Sequence, residues 1–194
     1  MGLHDALLAL HFQNDICDRA GKIPFSLNRD TAEAEAFLSA SRHALAAARA
    51  AGWTIAHVHI GFAEDYADLP RHPRLFRKVR EFGAVKRGSW GAAAFPGFEP
   101  RNGEIAVTRT FNSGFRNTDL DALLRERGVE RLNVMGLATQ FSVEHTVRDA
   151  ADLDWPIRLL ADCCASADME AHRNALRVLA MLAEVTASTT VLPP

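Results

Sequence analysis

The chain has 194 residues, with 22 Lys and Arg against 24 Asp and Glu for a formal charge of −2, and 48% of it is hydrophobic. That length suits one domain, 1–194, with enough apolar material for a proper core, which excludes disordered, collagen-like and disulfide-scaffold chains. Near-neutral charge and a pI near 6.4 give no field to attract nucleic acid or an anionic membrane, so a small-molecule ligand is expected, without nucleic acid or membrane as partner.

In chain order, apolar runs of four to eight residues alternate with helical patterns, the βαβ rhythm of a parallel sheet covered on both faces. A first strand is expected at 6–10 and closes on His11-Phe12-Gln13-Asn14-Asp15. A helix over 31–51 carries Phe37, Ala40, Ser41, Ala44, Leu45 and Ala48 at helical spacing, and Gly52 stops it. A strand at 54–59 ends on His57-Val58-His59. Residues 61–103, rich in Arg, Pro, Gly and aromatics, read as a long irregular stretch, functional or serving as a lid. A strand at 105–109 runs into Arg109-Thr110-Phe111, and a helix follows from Thr118-Asp119 to Gly128.

The next strand, 132–135, turns through 136–142 into a helix at 141–153. A strand at 157–161 precedes Asp162-Cys163-Cys164. A helix over 168–184 and a strand at 185–191 complete a three-layer α/β chain.

Cys17, Cys163 and Cys164 cannot all pair within one chain, which fits a reduced, cytoplasmic protein. From Met1 onward the opening residues show no cationic leader pattern, and no apolar run approaches the roughly 20 residues of a spanning helix.

Ligands of open parallel sheets sit outside the carboxyl ends of the strands, so the residues just past each strand are the first candidates for a site. The segment 136–142 stands out: a strand that turns at once into a helix aims free N–H groups and the positive helix end at whatever sits there, an anion or oxyanion site.

Three blocks, LLALHFQND, AVTRTFNSGFRNTDLDALLRERGVERLNVMGLATQFSVEHTVRDA and LLADCCAS, resemble the isochorismatase-like hydrolases, also called cysteine hydrolases, which include isochorismatases, nicotinamidases and N-carbamoylsarcosine amidohydrolases. The resemblance spans nearly the whole chain. It implies a six-stranded parallel sheet in Rossmann-like order, a homodimer or homotetramer, and no cofactor. It implies a non-proline cis peptide in the turn Leu137-Ala138-Thr139, whose backbone supplies donors.

It also implies a triad that this sequence replaces throughout: His11 stands at the family's aspartate, Arg109 at its lysine and Ser142 at its cysteine. Three readings follow. In a rewired hydrolase, imidazole is the base that hydroxyl nucleophiles use, so His11 and Ser142 compensate one another while Arg109 holds a carboxylate or an oxyanion. In an inactive member, the same site binds a small ligand or partner without turnover. In a nucleophile-free enzyme, a vinyl ether is protonated by His11 and opened by water.

Around these three, Ala138 and Thr139 are candidate oxyanion contacts, and Phe12, Trp90, Phe111 and Phe141 candidate pocket walls, with Trp90 in a lid-like loop. Ser142 can instead cap a helix. Gln13-Asn14-Asp15 is expected to tie its loop together, with Asp15 a candidate for orienting His11. His57 and His59 share one strand face without matching acidic ligands, so no metal is assigned to them. His172 reads as a core residue, and Cys163 and Cys164 as packing.

Overall fold

The computed structural model describes residues 3–192, so Met1 and Gly2, where the expected leader-free start begins, lie outside the described residues. Six strands form one sheet: β1 (Asp5–Leu10), β2 (Thr54–Ile60), β3 (Ile105–Arg109), β4 (Arg131–Leu137), β5 (Ile157–Ala165) and β6 (Glu184–Thr186). Their spatial order is β3-β2-β1-β4-β5-β6 and every neighbouring pair is parallel. All six residues of β1 are buried, as a central parallel strand covered on both faces must be.

Among the described residues, six α-helices carry the chain between strands, α1 (Asn14–Cys17), α2 (Ala32–Ala50), α3 (Arg74–Glu81), α4 (Leu120–Glu126), α5 (Glu144–Asp152) and α6 (Met169–Leu179), and α7 (Ser188–Val191) follows β6. Phe37, Ala44, Leu45 and Ala48 of α2 pack with Leu7, Ala9 and Ile55 on one face of the sheet, joined by Phe76 and Val79 of α3. On the other face Leu120 and Leu124 of α4, Val147 and Ala150 of α5 and Leu179 of α6 meet Ala6, Leu8, Leu10 and Val134. α2 starts where Thr31 accepts a hydrogen bond from the Ala34 amide, an N-cap that satisfies one of the orphan donors of the first turn. No described helix is long and apolar enough to cross a membrane.

Three expected elements change. The strand expected at 185–191 stops at Thr186, because the Asp162 carboxylate takes the Ser188 amide at 2.7 Å and its hydroxyl at 2.6 Å and winds the chain into α7. The helix expected over 168–184 spans only Met169–Leu179. The stretch 61–103 is not irregular throughout: Phe76 and Val79, three residues apart, give the arginine-rich α3 a buried edge, and Trp90–Ala92 forms a 3-10 turn.

The sheet order reverses between β1 and β4, the switch point where such sheets open a crevice. Gly136 makes the closeness of these two strands possible: its φ is +139°, and a Cβ there would lie 2.2 Å from the Leu10 carbonyl oxygen. His11 follows β1 and the 136–142 turn follows β4, so the crevice is framed by the segments the sequence singles out.

Candidate active site

His11 leaves β1 with φ +70°, a left-handed conformation uncommon for a residue with a side chain, while its amide still donates to Val58 across the sheet. This turn sends the imidazole into the crevice. The ring is buried, and its Nδ1 lies 2.9 Å from the Gln13 side-chain oxygen. Burial first, and then the Arg109 charge, hold its pKa down to about 3 against the opposing pull of Gln13.

Ser142 sits in a single π-type turn, Thr139–Val143, that joins β4 to α5 after a cis Leu137–Ala138 peptide. The Phe141 and Val143 amides are spent inside that turn on the Ala138 carbonyl. Ser142 is held from behind. Its Oγ accepts a 2.7 Å hydrogen bond from Nη2 of Arg109, at the end of β3, and its carbonyl accepts one from the Thr146 hydroxyl.

Arg109 is only 1% exposed. Nη1 donates to the Phe111 carbonyl, Nε has no partner, and the guanidinium forms no ion pair with a carboxylate among the described residues. Burial pulls its pKa down to about 9, which leaves it a cation at neutral pH.

His11 and Ser142 line one cavity, together with Ala138, Phe141 and Asn112. Ile23, Phe25, Ile60 and Val85 supply apolar walls, and Leu75 and Val79 of α3 close it from the 61–103 segment. The space in which a water's centre can move is about 20 Å3, room for one or two waters. No hydrogen bond joins His11 to Ser142: one ring nitrogen goes to Gln13 and the hydroxyl oxygen to Arg109.

The other candidates are placed differently. Trp90 does not line this cavity; it is 54% exposed, and its carbonyl accepts from the Asn14 side chain and the Ala93 amide. Phe12 points into the core, stacked on Phe98 at 4.0 Å between centroids and on Phe37. Phe111 stays outside the lining and offers its carbonyl to Arg109. Thr139 is buried with its hydroxyl shared between the Ala165 carbonyl and His172 Nδ1, so His172 is tied to the turn rather than lost in the core. Asp15 binds the backbone amides of Lys22 and Val85 and does not orient His11.

His57 bonds Glu104, which also takes two hydrogen bonds from Arg49 and one from the Arg101 amide. Burial opposes the Glu104 charge, but these donors outweigh it and hold its pKa down to about 2. His57 therefore belongs to a half-buried network with Glu104 and Arg49 on the α2 face, and no cluster of three metal-ligating residues occurs among the described residues. Cys17, Cys163 and Cys164 are buried and free, and burial pushes all three thiols up, Cys17 and Cys163 to about 12.

Sequence reasoning missed Asn112 and the apolar walls. Asn112 lies one residue beyond the strand end that was singled out, whereas Ile23 and Phe25 carry no signal that separates a pocket wall from core.

The isochorismatase domain family matches residues 5–190. A ureidoacrylate amidohydrolase from Stutzerimonas stutzeri is 31% identical over 182 residues, covering 88% of this chain and 73% of that protein. The crystal structure of an isochorismatase family protein from Desulfovibrio vulgaris superposes with a TM-score of 0.85 at 26% identity, covering 98% of this chain and 97% of that one. An N-carbamoylsarcosine amidase from Thermoplasma acidophilum shares the fold, with a TM-score of 0.74 at 23% identity over 96% of this chain and 97% of its own. With the six-stranded order and a match over nearly all its length, this chain belongs to the isochorismatase family of hydrolases.

Proposed function

We propose that this family member hydrolyses the amide or ester bond of a small molecule bearing a carbonyl or carboxylate, using His11, Arg109 and Ser142 in place of an aspartate, a lysine and a cysteine. One observation carries the reading: the His11 ring and a Ser142 hydroxyl held by a buried guanidinium open onto the same cavity. Ser142 Oγ attacks the carbonyl carbon, and His11 takes the hydroxyl proton and returns it to the departing nitrogen or oxygen. Water then releases the acyl group from Ser142. Arg109 stays protonated throughout, and its charge favours the oxyanion and any carboxylate of the substrate. The similarity to a ureidoacrylate amidohydrolase supports a C–N bond of an amide or ureido group as the target.

The test is mass measurement of the intact chain after an activated acyl ester or a serine-directed phosphonate. One adduct is expected, mapping to Ser142 and absent from Ser142→Ala and His11→Ala. A second reading, binding without turnover, is favoured by the Ser142–Arg109 bond itself, because it leaves the hydroxyl oxygen paired with a cation instead of with the base. A folded protein that forms no adduct, yet whose melting temperature rises with small carboxylates, would establish that second reading.

A further inference from the structure

We infer that Gln13 is a positioning residue that fixes His11 as the Nδ1–H tautomer and presents a bare, acceptor-only Nε2 to the cavity. The inference rests on the reading of His11 as a group that acts in this site. Its geometry is independent of that reading.

The orientation of the Gln13 amide is decided by the backbone around it. Its Nε2 donates to the Ile60 carbonyl at 2.8 Å and to the Ala92 carbonyl at 2.7 Å, which uses both of its protons. Its oxygen accepts the Ile60 amide at 2.8 Å. A flipped amide would set NH2 against the Ile60 N–H and oxygen against two carbonyls, three repulsive contacts in a side chain with no exposure. The atom facing His11 Nδ1 at 2.9 Å is therefore an acceptor, and Nδ1 must carry the proton.

A neutral imidazole has one N–H, so Nε2 is left with its lone pair. It has no hydrogen-bond partner among the described residues, and the ring borders the cavity. Charging the ring is opposed by burial first and then by the positive Arg109 and the His59 ring, with only the Gln13 oxygen favouring it and no carboxylate to answer it. His11 thus differs from a carboxylate-paired histidine. It is held neutral, with its base nitrogen ready and a ring that a carboxylate partner would otherwise make more basic.

The consequence for binding is that Nε2 demands a donor. The reacting hydroxyl or the N–H of an amide or ureido group satisfies it, whereas a carboxylate oxygen placed there is repelled. The anionic end of a substrate accordingly belongs on the Ser142 and Arg109 side of the cavity.

The experiment is long-range proton–nitrogen NMR of the histidine rings in the 15N-labelled full chain, with His11 assigned by its loss in His11→Asn. Near neutrality His11 is expected with Nδ1 protonated and Nε2 bare, unchanged as the solution is acidified to about one unit below the ordinary histidine pKa. Gln13→Met, nearly isosteric and without the acceptor, is expected to move the ring to the Nε2–H tautomer or a mixture. Gln13→Glu is expected to raise the His11 pKa by about one unit or more. An Nε2–H or charged ring in the unmodified protein, or an unchanged tautomer in folded Gln13→Met, overturns the inference. Should both variants fail to fold, the tautomer of the unmodified protein decides. A bare Nε2 in a protein that forms no Ser142 adduct keeps Gln13 in its role and removes only the hydrolase reading.

Discussion

Arg109 donates to Ser142 Oγ at 2.7 Å, and this guanidinium, 1% exposed, is answered by two neutral oxygens rather than by a carboxylate. An uncompensated buried cation is costly. With its pKa drawn from 12.5 to about 9, the penalty is on the order of 5 kcal/mol, against about 1–3 kcal/mol for the oxygens that would lose their donor if it were removed. Arg109→Met is therefore expected to leave stability unchanged or raise it by about 2 kcal/mol, while adduct formation at Ser142 falls by about tenfold or more. Urea unfolding and intact-mass labelling on the same sample test both halves. A variant that is both less stable and equally reactive would show that Arg109 serves packing alone.

The same cation should activate a thiol placed beside it. Ser142→Cys puts sulfur next to a guanidinium in the turn that opens α5, where both favour the thiolate. The three natural cysteines are internal controls, all buried with their thiols pushed up. Iodoacetamide near neutrality is expected to modify the variant once, at position 142, about tenfold faster than any cysteine of the unmodified chain. Equal rates would mean that the cavity is closed to small reagents or that Arg109 exerts no useful field there.

Stability should depend on acidity through two histidines that the fold holds neutral. His11, held down to about 3, and His59, held down to about 4, stay neutral in the fold, while in the unfolded chain they bind protons below about 6.5. The unfolded state then binds more protons, so their stabilising contribution is intact above pH 6.5 and is lost as the pH falls toward those values. Glu104, held down to about 2, adds a second loss only below about 4.5. Between pH 6.5 and 5 His11 accounts for about 2 kcal/mol, and His11→Asn should remove that share of the slope in urea unfolding. Reactivity at Ser142 should show no acid limb near pH 6.5, because the base is already neutral there. A limb at 6.5, or an unaltered slope in His11→Asn, would contradict a buried neutral ring.

The strands could be read because a sheet covered on both faces needs continuous apolar runs, and the rule that ligands gather past strand ends marked the segments at 11–15, 109–111 and 136–142, within which the family resemblance singled out His11, Arg109 and Ser142. What escaped was decided by packing. Phe12 and Trp90 both flank candidate site segments, yet one stacks on Phe98 and Phe37, 86 and 25 positions away in sequence, and the other faces outward. Gln13 was noticed as a loop tie, but its grip on His11 depends on Ile60 and Ala92, which no local pattern connects to it. The extent of α3 was hidden by its charge, since Phe76 and Val79 alone are fully buried beside five charged residues of Arg74–Glu81.

The crevice itself depends on Gly136. A methyl group there would meet the Leu10 oxygen at 2.2 Å and the Leu10 Cβ at 2.7 Å, a backbone atom of the central strand and the side-chain atom fixed directly to it, neither of which can move aside. Gly136 also sits at the break in β4–β5 register, with φ +139°. Gly136→Ala is expected to cost about 3 kcal/mol or more and to displace the 136–142 turn, so that Ser142 labelling falls even where the protein remains folded. Gly52 gives the comparison. It too has positive φ, at +72°, but nothing lies within 4 Å of an added Cβ, so Gly52→Ala should cost only about 1 kcal/mol, the conformational part alone. Thermal unfolding of the two variants side by side separates backbone strain from collision. Equal losses would mean that β1 and β4 can part without harm, and that the switch point does not need its glycine.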